Sequence, residues 1–350
     1  MYSCKEVKTN LDKEFFLKLP ELLYEKKFLT NIKDIEKHIL DRTHPLSCDF
    51  KIYPYIVLND KNQIAARAIL TKYSNDERGY VGFFESINSV KAVDCLINTI
   101  KDKARELGLK RLIGPIDCSI WIKYRFKVDN FDEYYSSEPY NLPYYADLWK
   151  SVGFEITDKY FSNRLKVPTE EVDTTRVLDL MKKRGIEIKN PTPSTLDKYF
   201  NDLYGLIVDL YSNFVGFKPI TKAQYTALFS EMKKILKLDM AFAAYKDGEM
   251  VAFHVIIPNY GVYGNDINIF TMPKLLSIRN NPKEYIMLYM GANSKGMGAG
   301  SAFTVLEAKK MKEYNTTCIN ALVHEGNSSG RYYDNLLDKK FNYVMMGLEL

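Results

Sequence analysis

The chain has 350 residues, 46% hydrophobic and 27% charged, a globular balance that excludes disorder, collagen-like repeats and coiled coil. Its 49 basic and 44 acidic side chains leave a net charge of +5 with no basic block, which argues against a nucleic-acid partner and permits neutral or anionic small ligands. Five scattered cysteines without C-x-x-C spacing and four histidines argue against a disulfide framework or a metal site, and no apolar run reaches the length of about 18 residues that spans a membrane. Met1–Lys8 lacks the apolar core of a signal peptide, so the expectation is a reduced, cytoplasmic protein. The length favours two domains.

In chain order, Tyr2–Thr9 reads as a strand, and Leu11–Tyr24 and Ile32–Leu40 as helices. Two strand-like runs follow, Tyr53–Leu58 and Ile64–Tyr73, across the turn-forming Asn59-Asp60-Lys61-Asn62, with a third at Gly79–Glu85. Val90, Val93, Ile97, Ile100, Ala104 and Leu107 recur at helical spacing, and Gly108 ends that helix. A short strand at Leu109–Ile113, a helix at Tyr144–Val152 and a strand at Phe154–Val167 complete the first half. Gly114–Tyr140 is an insertion too long for a plain connector, either a functional lid or a packed loop.

The second half repeats the order. Val172–Arg184 reads as the connection, Ile186–Lys189 as a strand, and Leu196–Tyr211 and Lys222–Leu236 as helices. Asp239–Tyr245 and Met250–Ile257 form a predicted hairpin turned by Asp247-Gly248. Asn259–Asn281 reads as an irregular excursion, then come the strand Tyr285–Met290, the helix Ser301–Tyr314, the strand Thr317–Val323, a helix Ser328–Leu337 and the strand Phe341–Leu348. One motif series performed twice predicts an α/β fold with a mixed sheet in each half.

The most informative stretch is Lys295-Gly296-Met297-Gly298-Ala299-Gly300-Ser301, between a predicted strand and a predicted helix. Glycines there let the backbone turn sharply, and the helix start adds unpaired N–H groups and partial positive charge suited to a pyrophosphate. A Walker loop needs Lys-Ser/Thr after the last glycine and fails at Ser301-Ala302; a dinucleotide-binding turn lacks the right spacing. A ligand-free glycine turn is the plain alternative.

With the strand before it, this loop resembles motif A of the GNAT superfamily of N-acetyltransferases, Gln/Arg-x-x-Gly-x-Gly/Ala, here with Lys295 in first place. Asn327, Gly330, Tyr332-Tyr333 and Lys340-Phe341 resemble the family's second motif, whose cleaner copy is Asn141, Tyr144-Tyr145 and Gly153-Phe154 in the first half. The resemblance extends to bacterial two-domain GNAT proteins with Gly82–Glu85 and Gly114-Pro115. It implies two tandem GNAT-like domains, each a mixed, mostly antiparallel sheet flanked by helices, over 1–170 (a degenerate copy, lacking the glycine loop) and 171–350.

The resemblance further implies acetyl-CoA or another acyl-CoA as co-substrate and a small-molecule amine as acceptor, with no metal. Backbone groups from Leu288 through Met290 to Gly291 would take the pantetheine arm, Lys295, Gly296, Gly298, Ala299, Gly300 and Ser301 the pyrophosphate, and Asn327 the far side. Glu325 and His324, at a strand end where strands diverge in this fold, are the candidate bases, and Tyr333 or Tyr332 the candidate acid for the leaving thiolate. His254, Cys318 and Glu85 read as core or structural residues. The rival readings are a non-catalytic acyl-CoA-binding module and an aminoacyl-tRNA-dependent transferase of the tandem type.

Overall fold

A computed structural model describes residues 1–29, 32–265, 268–327, 330 and 333–350. The chain forms two compact units: unit 1 comprises Met1–Lys159, Gly216–Lys218 and Asn342–Leu350, and unit 2 comprises Tyr160–Val215 and Pro219–Phe341.

Unit 1 contains β1 (Tyr2–Glu6), α1 (Asn10–Leu23), α2 (Ile32–Leu40), β2 (Phe50–Asn59), β3 (Ile64–Tyr73), β4 (Arg78–Ser86), α3 (Val90–Glu106), β5 (Arg111–Gly114), β6 (Phe126–Lys127) and α4 (Tyr145–Ser151). Thr9 and Asp12 close a reciprocal capping box on α1, and Ser89 caps α3. β1 to β4 pair antiparallel in chain order, and β4 then pairs parallel to β5. A packed core gathers Val81, Val93, Leu96, Ile97, Trp149 and Phe154. The insertion after β5 is packed into this unit. Fully buried Lys127 meets Glu138 at 2.8 Å, the Tyr343 hydroxyl donates to the same carboxylate, and Lys218 pairs with Asp76 at 2.6 Å.

β7 (Glu155–Leu165) begins in unit 1 and finishes in unit 2. Unit 2 continues with α5 (Thr175–Lys183), β8 (Ile186–Lys189), α6 (Leu196–Tyr211), α7 (Lys222–Phe229), α8 (Met232–Ile235), β9 (Phe242–Lys246), β10 (Glu249–Pro258), α9 (Met272–Asn280), β11 (Glu284–Ala292), α10 (Ala299–Tyr314) and β12 (Thr317–His324). β8 to β11 pair antiparallel in order, and β11 then pairs parallel to β12, as β4 does to β5. The last strand, β13 (Leu337–Glu349), begins in unit 2 and ends in unit 1.

The strands that follow β5 and β12 are exchanged. In unit 1, β5 pairs antiparallel with the end of β13, from Met346↔Gly114 to Glu349↔Arg111. In unit 2, the corresponding edge of β12 is taken by the end of β7, from Cys318↔Leu165 to His324↔Tyr160. The Asp247-Gly248 hairpin turn forms as predicted, with φ of 52° and 82°.

Four local expectations are corrected, the first being the single helix Lys222–Leu236, which is broken at Ser230-Glu231 into α7 and α8. Thr175–Lys183 in the supposed connection is helical, and Met272–Asn280 forms a helix inside the supposed irregular excursion. Of the predicted helix Ser328–Leu337, residues 328, 329, 331 and 332 lie outside the described residues; Asp334–Leu336 is a 3-10 turn and Leu337 already opens β13. Among the described residues, no helix is long and apolar enough to cross a membrane.

Candidate functional site

The candidate site of unit 2 is built where β11 and β12 part. Their parallel pairing runs from Glu284↔Thr317 to Met287↔Asn320 and stops. On its other edge β11 pairs with β10, but Val255 faces Tyr289 while Ile256 faces Met287, so Leu288 is an extra, bulged residue. β12 carries its own irregularity between Asn320 and Val323, where Leu322 has φ 58° and its N–H donates to the Ser162 hydroxyl at 2.8 Å. Just past the bulge the β12 pairing of half-buried Leu288–Ala292 has ended, and the Tyr211 hydroxyl donates to the Met290 carbonyl at 3.4 Å.

The glycine loop follows directly. Asn293 accepts the Gly296 N–H at 3.1 Å, so that amide is already used inside the turn. A Cβ on Gly296 would lie 2.4 Å from the Val251 carbonyl oxygen, which explains a glycine there by close backbone approach. Gly298, at φ 90°, is the N-cap of α10 and supplies no side-chain cap. The first-turn amides of Ala299, Gly300 and Ser301 therefore have no intrahelical acceptor and converge at the positive end of a 16-residue helix.

Two cations flank the loop. Lys295 is exposed and pairs with Glu249 at 2.7 Å, whereas Arg184, at the end of α5, donates to the Met297 carbonyl. Its partner lies 113 residues away in sequence, so no motif contained it.

The same elements in unit 1 form an internal comparison. There β4 carries the bulge: Arg67 faces Glu85 and Ile69 faces Gly82, with Phe83 at φ 47°. The chain leaving β5 lies over it. Ile116 N–H donates to the Val81 carbonyl at 2.9 Å, and Phe83 N–H donates to the Asp117 carboxylate at 2.5 Å. A Cβ on Gly82 would fall 1.9 Å from the Ile116 oxygen, so the fit admits only glycine. The helix after β4 starts at Ser89, whose hydroxyl accepts from Ala92 N–H. Unit 1 thus covers its bulge with the chain leaving β5 and caps its helix with Ser89, whereas α10 of unit 2 has no side-chain cap.

No family model matches the chain, and no curated protein does. Among solved structures, the chain is similar to a GCN5-related glucosamine N-acetyltransferase region of a fungal multi-domain GH3 β-N-acetylglucosaminidase, with TM-score 0.53, 13% identity and 99% of this chain covered. It spans only 38% of that protein's length. It is similar over its whole length, and 98% of the other chain, to a tandem GNAT protein from the clavulanic acid biosynthesis pathway, with TM-score 0.50 and 11% identity. A probable N-acyltransferase from Enterococcus faecalis gives TM-score 0.51 and 10% identity over 99% of this chain and 72% of its own. The fold is a tandem GNAT fold.

Within this tandem GNAT fold the candidate catalytic residues occupy different settings. His324 ends β12, half-buried, its ring edge-on to Tyr160 at 4.9 Å between centroids. Glu325 and Asn327 are exposed in the turn that follows, with Asn327 N–H donating to the His324 carbonyl. Since β11 and β12 are parallel, these residues lie at the same sheet end as Leu288–Ala292. Tyr333 instead enters the core, where its hydroxyl donates to Glu307 of α10; Tyr332 lies outside the described residues. In unit 1, Glu85 accepts from Tyr24 and Tyr145 at 2.7 and 2.6 Å, a buried structural role.

Glu307 was not singled out in the sequence, yet the signal was present: it falls on the buried stripe of α10, four residues from both Phe303 and Met311. Burial pushes its carboxyl up to about 7 from the usual 4.5, against the opposing hydrogen bonds from Cys318 and Tyr333. Burial also drives His254 down to about 3 from 6.5, so its imidazole is neutral. The fully buried His254 Nε2 lies 3.9 Å from Glu307.

The two groups work against each other as pH changes. For Glu307 the folded state holds the proton longer than the unfolded chain, so stability is lost as pH rises from 4.5 through about 7, by about 3 kcal/mol in total. For His254 stability is lost as pH falls from 6.5 toward about 3, so between 4.5 and 6.5 the trends oppose. His254→Phe is expected to unmask the Glu307 trend. Hydrogen exchange of β10–β12 amides should then show opening that grows easier from about pH 5 to pH 7.5; a flat profile would contradict the assignment.

Proposed function

We propose that unit 2 binds an acyl-CoA and transfers its acyl group, acetyl or longer, to the amine of a small molecule or amino-acid derivative. The observation that carries this reading is the contrast between units: the start of α10 has no side-chain cap and β12 pairing stops before the bulge at Leu288 in unit 2, whereas the counterparts in unit 1 are covered by Ser89 and Asp117. The stretch Leu288–Gly291, beyond the β12 pairing, would supply peptide groups for an extended, amide-bearing arm, and an N–H there would stabilise the oxyanion that develops on a thioester carbonyl. The amides of Gly298, Ala299, Gly300 and Ser301 offer the pyrophosphate a positive helix end, with Arg184 beside them. Gly296 contributes conformation, since its amide is committed to Asn293. His324 and Glu325, at the strand end, are the groups from which a base would come. Unit 1 is the degenerate copy, and its role is scaffolding.

Calorimetric titration with acetyl-CoA, CoA and a longer acyl-CoA tests the reading. The decisive variant is Ser301→Glu. A carboxylate at an exposed third position of α10 favours the helix dipole, so the fold is maintained, but it opposes a pyrophosphate at the same amides. We expect wild-type binding and a loss of at least ~100-fold, on the scale of a charged phosphate contact, with melting temperature unchanged or raised. Equal binding by both proteins would remove the pyrophosphate from this helix, and no binding by the wild type would overturn the acyl-CoA reading. Turnover with an acceptor amine, lost in Glu325→Gln while binding persists, would separate an enzyme from a binding module.

A further inference from the structure

Beside β11 of unit 2, polar groups from several elements meet in an apolar interior. Glu307 of α10 accepts the Tyr333 hydroxyl on one oxygen and the Cys318 thiol, from β12, on the other at 2.9 Å. His254 of β10 stands 3.9 Å away, its ring among Phe242 and Phe303 at 6.3 and 5.9 Å between centroids. Both ring nitrogens are buried with no hydrogen-bond partner. Tyr285, the β11 residue paired with Cys318, and Glu284, whose charge raises the Cys318 thiol, are further titratable groups here, and no Lys or Arg among the described residues pairs with Glu307. The place matters: His254 is the ladder partner of Met290 on β11, and Cys318 lies two residues before the last β11–β12 pair.

A carboxylate held only by neutral donors, next to an imidazole that is given no bond, is half of a two-state arrangement. In one state Glu307 is ionised and accepts from Tyr333 and Cys318 through the contacts present in the structure. In the other, protonated Glu307 donates to His254, closing the gap of 3.9 Å and giving the orphaned ring its bond, while the Tyr333 hydroxyl is released. We propose that Glu307 is a positioning residue of the acyl-CoA site: it holds Tyr333 in the resting protein and takes up a proton from solvent when the bound cofactor draws that hydroxyl away. This rests on the reading of unit 2 as an acyl-CoA site. The carboxyl's raised proton affinity and the neutral state of His254 agree with it.

Calorimetric titration of the full chain with acetyl-CoA at pH 7.5, in phosphate and in Tris, reads the protons exchanged on binding. The cofactor's own phosphates contribute equally to wild type and variant, so the difference between them is the measurement. We expect wild type to take up a fraction of a proton more than Glu307→Gln, with the excess growing from pH 6.5 to pH 8. Tyr333→Phe should lose the same excess, and carries the test if the glutamine variant folds poorly. Uptake by Glu307→Gln and Tyr333→Phe equal to wild type would overturn the proposal. Failure of wild type to bind acetyl-CoA would instead overturn the reading of the site on which it rests.

Discussion

A chain ended at Phe341 is expected to lose unit 1 as a folded body, although all of Met1–Lys159 is still present. Residues 342–350 supply the strand that pairs with β5 and bury Tyr343, Val344, Met345, Met346 and Leu348, none more than 7% exposed. At about 1.5–3 kcal/mol for each large apolar side chain buried, the loss is on the order of 10 kcal/mol, as large as the whole stability of an ordinary domain. It also strips the Tyr343 hydroxyl from the buried Lys127–Glu138 pair. Both tryptophans, Trp121 and Trp149, lie in unit 1, so their fluorescence reports that unit alone. The truncated chain should show no cooperative tryptophan transition in urea, and a synthetic peptide of residues 337–350 should restore one. A transition like that of the full chain would show that the exchanged strand is dispensable.

The second large effect is expected at Arg67, fully buried in unit 1. Its guanidinium donates to the Phe16 carbonyl at 2.6 Å, is doubly hydrogen-bonded to Glu36, lies 3.9 Å from Glu85 and stacks on the Phe16 ring. Arg67→Met keeps the apolar stem but leaves Glu36 buried without its counter-charge, a loss of about 3–5 kcal/mol. Burial already raises the Glu36 carboxyl and Arg67 is what opposes it, so in the variant Glu36 keeps its proton to higher pH. The defect should deepen as pH rises, because ionised Glu36 then has nothing to pair with. Arg67→Met with Glu36→Leu should recover most of the stability, since two apolar groups replace a buried pair at little net cost. Tryptophan-detected urea unfolding checks all three points. A single variant as stable as wild type would mean that water reaches Glu36.

Much of this fold was legible where side-chain period and turn chemistry agree. Ile64–Tyr73, Ile32–Leu40 and Leu196–Tyr211 were delimited to the residue, and Asp247-Gly248 marked its hairpin, because those signals are local. The GNAT resemblance rested on the glycine loop, which the structure puts between β11 and α10. What sequence reading missed is set by partners far along the chain. Nothing in Tyr160–Leu165 tells which strand accepts it, because a strand that is apolar enough for one neighbour fits another. The bulge at Leu288 needs the register of β10 to be seen, and Arg184 needs the path of α5. Glu307 was hidden differently: acids on helices are read as solvated faces, and only its place among Phe303 and Met311 marks it as buried. The Lys295–Glu249 ion pair likewise needs the position of the β9–β10 hairpin to be seen.

The exchanged strands also govern how this protein must be made. A tandem protein usually folds its N-terminal domain while the ribosome is still extending the chain. Here the strand beside β5 is written at 342–349, so unit 1 has to wait, with the apolar edge of β5 uncovered, through the synthesis of nearly all of unit 2. Unit 2 faces no such delay at β7, which precedes it in sequence. The half that emerges first is therefore the half that finishes last, and the interval between is where a chaperone would find its binding site.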